Sequence, residues 1–225
     1  MKIVILFLLY TSTILSQHSK VMLYDSVKVI KINPIISPLS FHISAEKYYS
    51  DDVYEKSFFV IYISSHKNQI NQTIIDSTDT EYFKNIIFID VNYDGYLDIG
   101  IPGLGDIDNI AYNFWIFNNA QNKFVFDSQY SDLFNPEFNT KDSTIISFVA
   151  SRMNALPVFE KEKYKVISNN LVLIYSEDST VESDNLTGKN YWIRTKSELV
   201  NGKMETTEIE KIDVDSLFYD RPRDK

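Results

Sequence analysis

Short runs of Val, Ile, Phe and Tyr recur along the chain between clusters of Asn, Asp, Ser and Gly, the pattern of many short strands separated by turns. It predicts strands near residues 21–32, 39–44, 57–63, 69–75, 85–90, 97–101, 110–117, 123–126, 143–149, 164–168, 171–176, 189–196 and 204–212. Phe114 and Ile116 alternate with Trp115 and Phe117, so that strand has two apolar faces and belongs inside the fold. Helix signals are confined to one turn at 131–134, stopped by Asn135-Pro136 because the residue before proline disfavours the helical region. Two hairpin turns are identifiable. Asn169-Asn170 separates the apolar stretches 164–167 and 171–174, and Asn201-Gly202 is the preferred type I′ pair between Tyr191-to-Thr195 and Thr207-to-Lys211.

The first residues break this rhythm. Met1-Lys2 precedes an apolar run from Ile3 to Leu15, followed by Ser16, Gln17 and His18. That run is shorter than the ~20 residues that cross a bilayer, and with its positive start and polar exit it reads as a secretory signal peptide over 1–16. Cleavage is expected after Ser16; Ile14, larger than the usual residue three places before a cut, leaves an uncleaved anchor or another cut site open. No later segment reaches membrane length and no linker divides the chain, so residues 17–225 are expected to form one all-β domain. That length holds about five four-stranded units of ~40–45 residues, which permits a small irregular β-propeller of antiparallel hairpins; a β-sandwich or irregular barrel is the alternative.

Composition narrows the class. Hydrophobic residues make up 44% of the 225, enough to build a core and exclude global disorder. Twenty-two Lys and Arg against 31 Asp and Glu give a net charge of −9, which disfavours nucleic acid and favours basic partners. There is no cysteine, so stability in an export compartment must come from the core or from a bound metal.

Specific chemistry is concentrated between Phe88 and Ile99. Asp90, Asn92, Asp94 and Asp98 fall at loop positions one, three, five and nine, and the carbonyl of Tyr96 stands at position seven, the order of oxygen ligands around calcium. Gly95 supplies the sharp bend between the fifth and seventh positions. Hard oxygens with no His or Cys favour Ca2+ over zinc or copper. Position twelve is Ile101 where an EF-hand has glutamate, so the site is strand-loop-strand, with an expected dissociation constant of ~10⁻⁵–10⁻³ M. The alternative is an Asp-Asn-Gly turn whose carboxylates cap backbone amides.

This segment resembles the calcium loop of FG-GAP, integrin-type β-propellers. Its continuation through Gly103-Leu104-Gly105-Asp106, Tyr112-to-Phe117, Phe124 and Leu133-to-Phe138 is similar to an exported bacterial family of irregular β-propeller proteins that includes immunity proteins against secreted lysozyme-like effectors. The match covers residues 86–147, and both ends of the chain add little to it. The resemblance carries the metal role onto Asp90, Asn92, Asp94, Tyr96 and Asp98. It implies a lysozyme-like or other cell-wall hydrolase as protein partner, and carries over no inhibitory residue. Thr187-Gly188-Lys189-Asn190-Tyr191 resembles the Ser-Gly loops of lysozyme inhibitors, an ordinary hairpin turn being the simpler reading.

Other constellations are weaker. His18, His42 and His66 have no metal spacing, no Gly-x-Ser-x-Gly elbow is present, and thiol catalysis is excluded. Glu160 and Glu162 lie in the alternating-charge run Glu160-Lys161-Glu162-Lys163, more simply a solvated face than a glycosidase pair. Tyr48, Tyr49, Tyr54 and Tyr93 sit in polar, acidic contexts that suit a glycan or partner surface. The expected protein is a secreted or periplasmic, calcium-stabilised binding module and not an enzyme. Its leading reading is an inhibitor of a peptidoglycan hydrolase, with a surface adhesion or glycan-binding module as the alternative and an exported hydrolase as a third.

Overall fold

The computed structural model describes residues 18–214 apart from 51–52, 66, 68, 79–85, 107, 132 and 154–155. The expected signal peptide and His66 lie outside the described residues. The chain is an all-β protein of three antiparallel sheets, each a meander in which consecutive strands pair. The first contains β1 (His18–Ile30), β2 (Leu39–Ser50), β3 (Val53–Ser65) and β4 (Ile70–Thr78). The second contains β5 (Ile87–Ile89), β6 (Asp98–Gly105), β7 (Ile110–Asn118) and β8 (Lys123–Asp127). A single helical turn, α1 (Ser128–Ser131), leads to the third. That sheet has six strands: β9 (Glu137–Asn139), β10 (Thr144–Met153), β11 (Leu156–Ile167), β12 (Asn170–Ser183), β13 (Asn190–Val200) and β14 (Lys203–Asp213). Among the described residues the sheets have four, four and six strands and none closes on itself, an irregular β fold of antiparallel hairpins.

Every predicted strand is present. The differences follow from polar ladders and turn chemistry. β12 runs through Glu177 to Ser183, beyond the apolar stretch that marked it, because this half is held by charged cross-strand partners. Glu177 is paired with the Arg194 guanidinium, which also reaches Glu210 at 3.6 Å, while Lys196 meets Glu208 at 2.6 Å. The β11–β12 turn is Ser168-Asn169 rather than Asn169-Asn170: both have positive φ, 50° and 62°, as a two-residue type I′ turn requires, and Asn170 already pairs with Ile167. Asn201-Gly202 forms the expected turn, with φ of 51° and 80°. The helical turn lies earlier than 131–134. Asp127 accepts the Gln129 amide at 2.9 Å and starts it, and Phe134 instead bridges to Ala111.

The second sheet is the middle layer, as the two apolar faces of β7 require. Phe117 and Trp115 join Phe124, Ile99 and Ile101 against Phe41, Phe59, Ile61 and Ile74 of the first sheet. Phe114 and Ile116 face the other way, into a second core with Tyr130, Leu133, Ile145 and Tyr164. Gly100 makes that second face possible. It pairs with Ile87 on one side and Phe114 on the other, and a Cβ there would stand 2.7 Å from the Ile87 side chain and 2.9 Å from the Phe114 ring.

Candidate metal centre

The Asp90-to-Asp98 segment connects β5 to β6 at one end of the middle sheet. Gly95 adopts φ +88° and Tyr93 φ +58°, so the backbone doubles back and aims its amides inward. Asp90 accepts the Asp94 amide at 3.0 Å and the Gly95 amide at 2.9 Å through separate oxygens. Asn92 accepts the Asp94 amide at 3.2 Å and donates to Asp94 Oδ2 at 2.9 Å. Asp94 Oδ1 accepts the Tyr96 amide at 3.0 Å. Outside contacts fix the loop from two sides. Asn33 Nδ2 donates to the Gly95 carbonyl at 2.8 Å from beyond β1, and the Tyr93 hydroxyl donates to the Thr144 carbonyl at 2.7 Å on β10.

Asp98 behaves differently. Its side chain turns into the interior and the residue is 0% exposed. Oδ2 accepts the Val91 amide at 2.9 Å and Oδ1 the Phe117 amide at 2.8 Å, so one carboxylate closes the ends of β5 and β7. Burial pushes its pKa up to about 8 against the lowering effect of those two amides, and the charges of Asp94 and Asp90 push in the same direction. Asp90 is also raised, by burial first and by the neighbouring Asp94 carboxylate. None of the three has an ion-pair partner among the described residues.

The loop thus brings Asp90, Asn92 and Asp94 together and sets Asp98 beneath them. Tyr96 contributes its amide to Asp94 and packs its ring against Phe117 at 5.4 Å. Among the described residues no group of three or more His, Cys, Asp or Glu side chains stands in metal-holding geometry; the carboxylates are satisfied by loop amides, the capping arrangement of the alternative reading. The donor set itself fits calcium. It is all oxygen, and a carboxylate oxygen that accepts one amide keeps a second lone pair.

The other sequence candidates separate. Tyr48 donates to Glu46 at 2.9 Å and lies edge-on to Phe58, while Tyr93 is committed to Thr144. Tyr48 and Tyr93 thus have separate partners; the side chain of Tyr54 lies outside the described residues. His42 meets Asp25 at 2.6 Å on the first sheet. Glu160 and Glu162 share one face of β11, where Glu162 accepts the Tyr164 hydroxyl at 2.5 Å. The loop between β12 and β13 is built around Asp184, whose Oδ1 accepts the Leu186 and Thr187 amides at 2.8 and 3.3 Å. It holds Leu186 98% exposed.

Two features escaped the sequence reading. The inward turn of Asp98 is visible in hindsight, since two-residue alternation places it on the face of Gly100 that Phe114 covers. A cleft of about 320 Å³ beside the loop, lined in part by Asn92, Asp94, Asn118, Asn119 and Asn169, had only its turn-forming asparagines as a signal.

No protein-family model matches the chain, and no curated protein matches its sequence. Among solved structures it is similar to one described as "Structure of a Xanthomonas Type IV Secretion System related protein", at 17% identity, covering 82% of this chain and 99% of that one with a TM-score of 0.51. At that identity the likeness is one of fold alone, with a protein matched over almost its full length.

Proposed function

We propose that this chain is an exported binding protein, not an enzyme, whose Asp90-to-Asp98 loop binds calcium and whose surface blocks a lysozyme-like peptidoglycan hydrolase. The observation that carries the metal half is Asp98: a fully buried carboxylate whose neighbouring charges are two further carboxylates, with no cation partner among the described residues. Such an arrangement is stabilised by a cation among Asp90, Asn92, Asp94, the Tyr96 carbonyl and Asp98. When bound, the ion would supply positive charge and cross-link the loop; it has no catalytic part in this reading.

For the partner, support comes from the family resemblance, the net charge of −9 that suits a basic enzyme, and the braced loop that presents Leu186 to solvent. The secretion-system description of the structural neighbour supports an exported setting. Among the described residues no helix is long and apolar enough to cross a membrane.

The test has two arms. Thermal unfolding is measured in calcium and in chelator; equal melting temperatures, with no metal by mass analysis, remove the ion from the proposal. A lysozyme-type muramidase is then assayed with increasing protein in calcium. Suppression complete near a one-to-one ratio supports inhibition, and undiminished turnover at a large excess of protein overturns it.

A further inference from the structure

The cleft beside the loop combines parts from two sheets. Asn119 lies in the β7–β8 turn and Asn169 in the β11–β12 turn, and both meet the wall formed by Asn92 and Asp94. Ile116 and Val125, paired across β7 and β8, contribute apolar lining, and Asp127 lines it as well. The volume, about 320 Å³, is that of a small-ligand site.

Its polar groups are mostly neutral and only partly used. Neither the Asn119 nor the Asn169 side-chain amide has a hydrogen-bond partner among the described residues. Asn118 uses its oxygen on the Gln121 amide and keeps its NH2 group free, and Asp127 spends one oxygen on the Gln129 amide. Asp94 is already engaged through both oxygens. Among the described residues no Lys or Arg lines the cleft, which disfavours phosphates and other anions.

We infer that this cleft binds an uncharged saccharide. A sugar hydroxyl donates and accepts at once, and a primary amide presents both functions side by side, so several spare amides around one hollow match a ring of hydroxyls. The sugar's C–H face would rest on Ile116 and Val125. Asn169 is suited to its φ of 62°, but the backbone needs only a residue that tolerates that conformation; glycine does so as well. The amide itself is therefore available for binding. Asn119 and Asn169 are outside the proposed calcium set, whereas Asn92 and Asp94 of the wall belong to it.

The experiment titrates the full protein, in calcium and in chelator, with maltotetraose, with N-acetylchitotetraose and with tetra-arginine, following side-chain amide resonances by NMR. At least one saccharide is expected to move the Asn119 and Asn169 signals. The double variant Asn119→Ala with Asn169→Gly is expected to weaken that binding about tenfold, with its melting temperature unchanged. Absence of saccharide binding in both buffers overturns the inference, as does equal binding by the double variant or movement of these signals by tetra-arginine alone. Saccharide binding in chelator supports the cleft even if the calcium-dependent melting shift is absent, so the two proposals fail separately.

Discussion

The carboxylate of Asp98 accepts the backbone amide of Phe117, nineteen residues away, at 2.8 Å within the protein interior. With the Val91 amide on its other oxygen, Asp98 terminates two strands at once. Asp98→Ala leaves both amides buried without an acceptor. In chelator this is expected to lower stability by about 2–5 kcal/mol, while Asp98→Asn, which keeps one acceptor, loses less. Urea unfolding of the three proteins gives the order, and equal midpoints would show that these two bonds contribute nothing.

Calcium should stabilise the folded chain by mass action. At an ion concentration ~100-fold above the dissociation constant the gain is about 2.7 kcal/mol, a rise of about 5–10 °C in melting temperature for a chain of this size. Asp90→Ala with Asp94→Ala should abolish the difference between calcium and chelator. Scanning calorimetry of both proteins in both buffers measures it.

Gly100 lies between Ile87 and Phe114 in the middle sheet, with no space for a methyl group. Gly100→Ala should cost about 1–3 kcal/mol by overpacking. The companion change Ile87→Val, which trims the closest neighbour, should recover part of that loss in a double-mutant cycle.

Glu177 links stability to pH. Burial alone would raise its pKa, but hydrogen bonds from the Tyr175 hydroxyl and the Arg194 guanidinium overcome burial and hold it below its ordinary value of 4.5. A depressed folded value means that the contribution is complete above 4.5 and is lost as pH falls through the folded value. Glu177→Gln is therefore expected to be less stable than the parent by about 1–3 kcal/mol at neutral pH, with the gap closing under acid. Denaturant unfolding across that range checks the sign; a gap that widened in acid would contradict it.

Leu186 is almost fully exposed at the end of a braced loop. If that loop contacts the hydrolase, Leu186→Asp should weaken inhibition about tenfold or more without moving the melting temperature, because nothing is packed on it. Parallel inhibition and melting curves separate the two effects.

Much of the fold was legible because apolar runs and turn residues alternate strongly along the chain. Trp115 and Phe117 against Phe114 and Ile116 placed β7 inside before any contact was seen, and Asn201-Gly202 marked its hairpin. What escaped detection has physical causes. The far half of β12 is held by ion pairs such as Glu177–Arg194, which look like loop composition in sequence. β9 has three residues, too few to show a period. In the loop, the order of Asp90, Asn92 and Asp94 foretold their association, and strand alternation puts Asp98 on the inner face with Gly100, but spacing does not name the Val91 and Phe117 amides that its carboxylate takes. The cleft depended on two turns that only the tertiary structure brings together.

The loop from Asp90 to Asp98 is tied to the β1–β2 connection through Asn33, to the middle sheet through Phe117 and to the third sheet through Thr144. It therefore couples the two cores energetically: neither can open fully without disturbing the residues that terminate the other. Such a chain should lose its structure cooperatively, so calorimetric and van't Hoff enthalpies should coincide, and an ion held in that loop would act on the whole transition rather than on one strand connection.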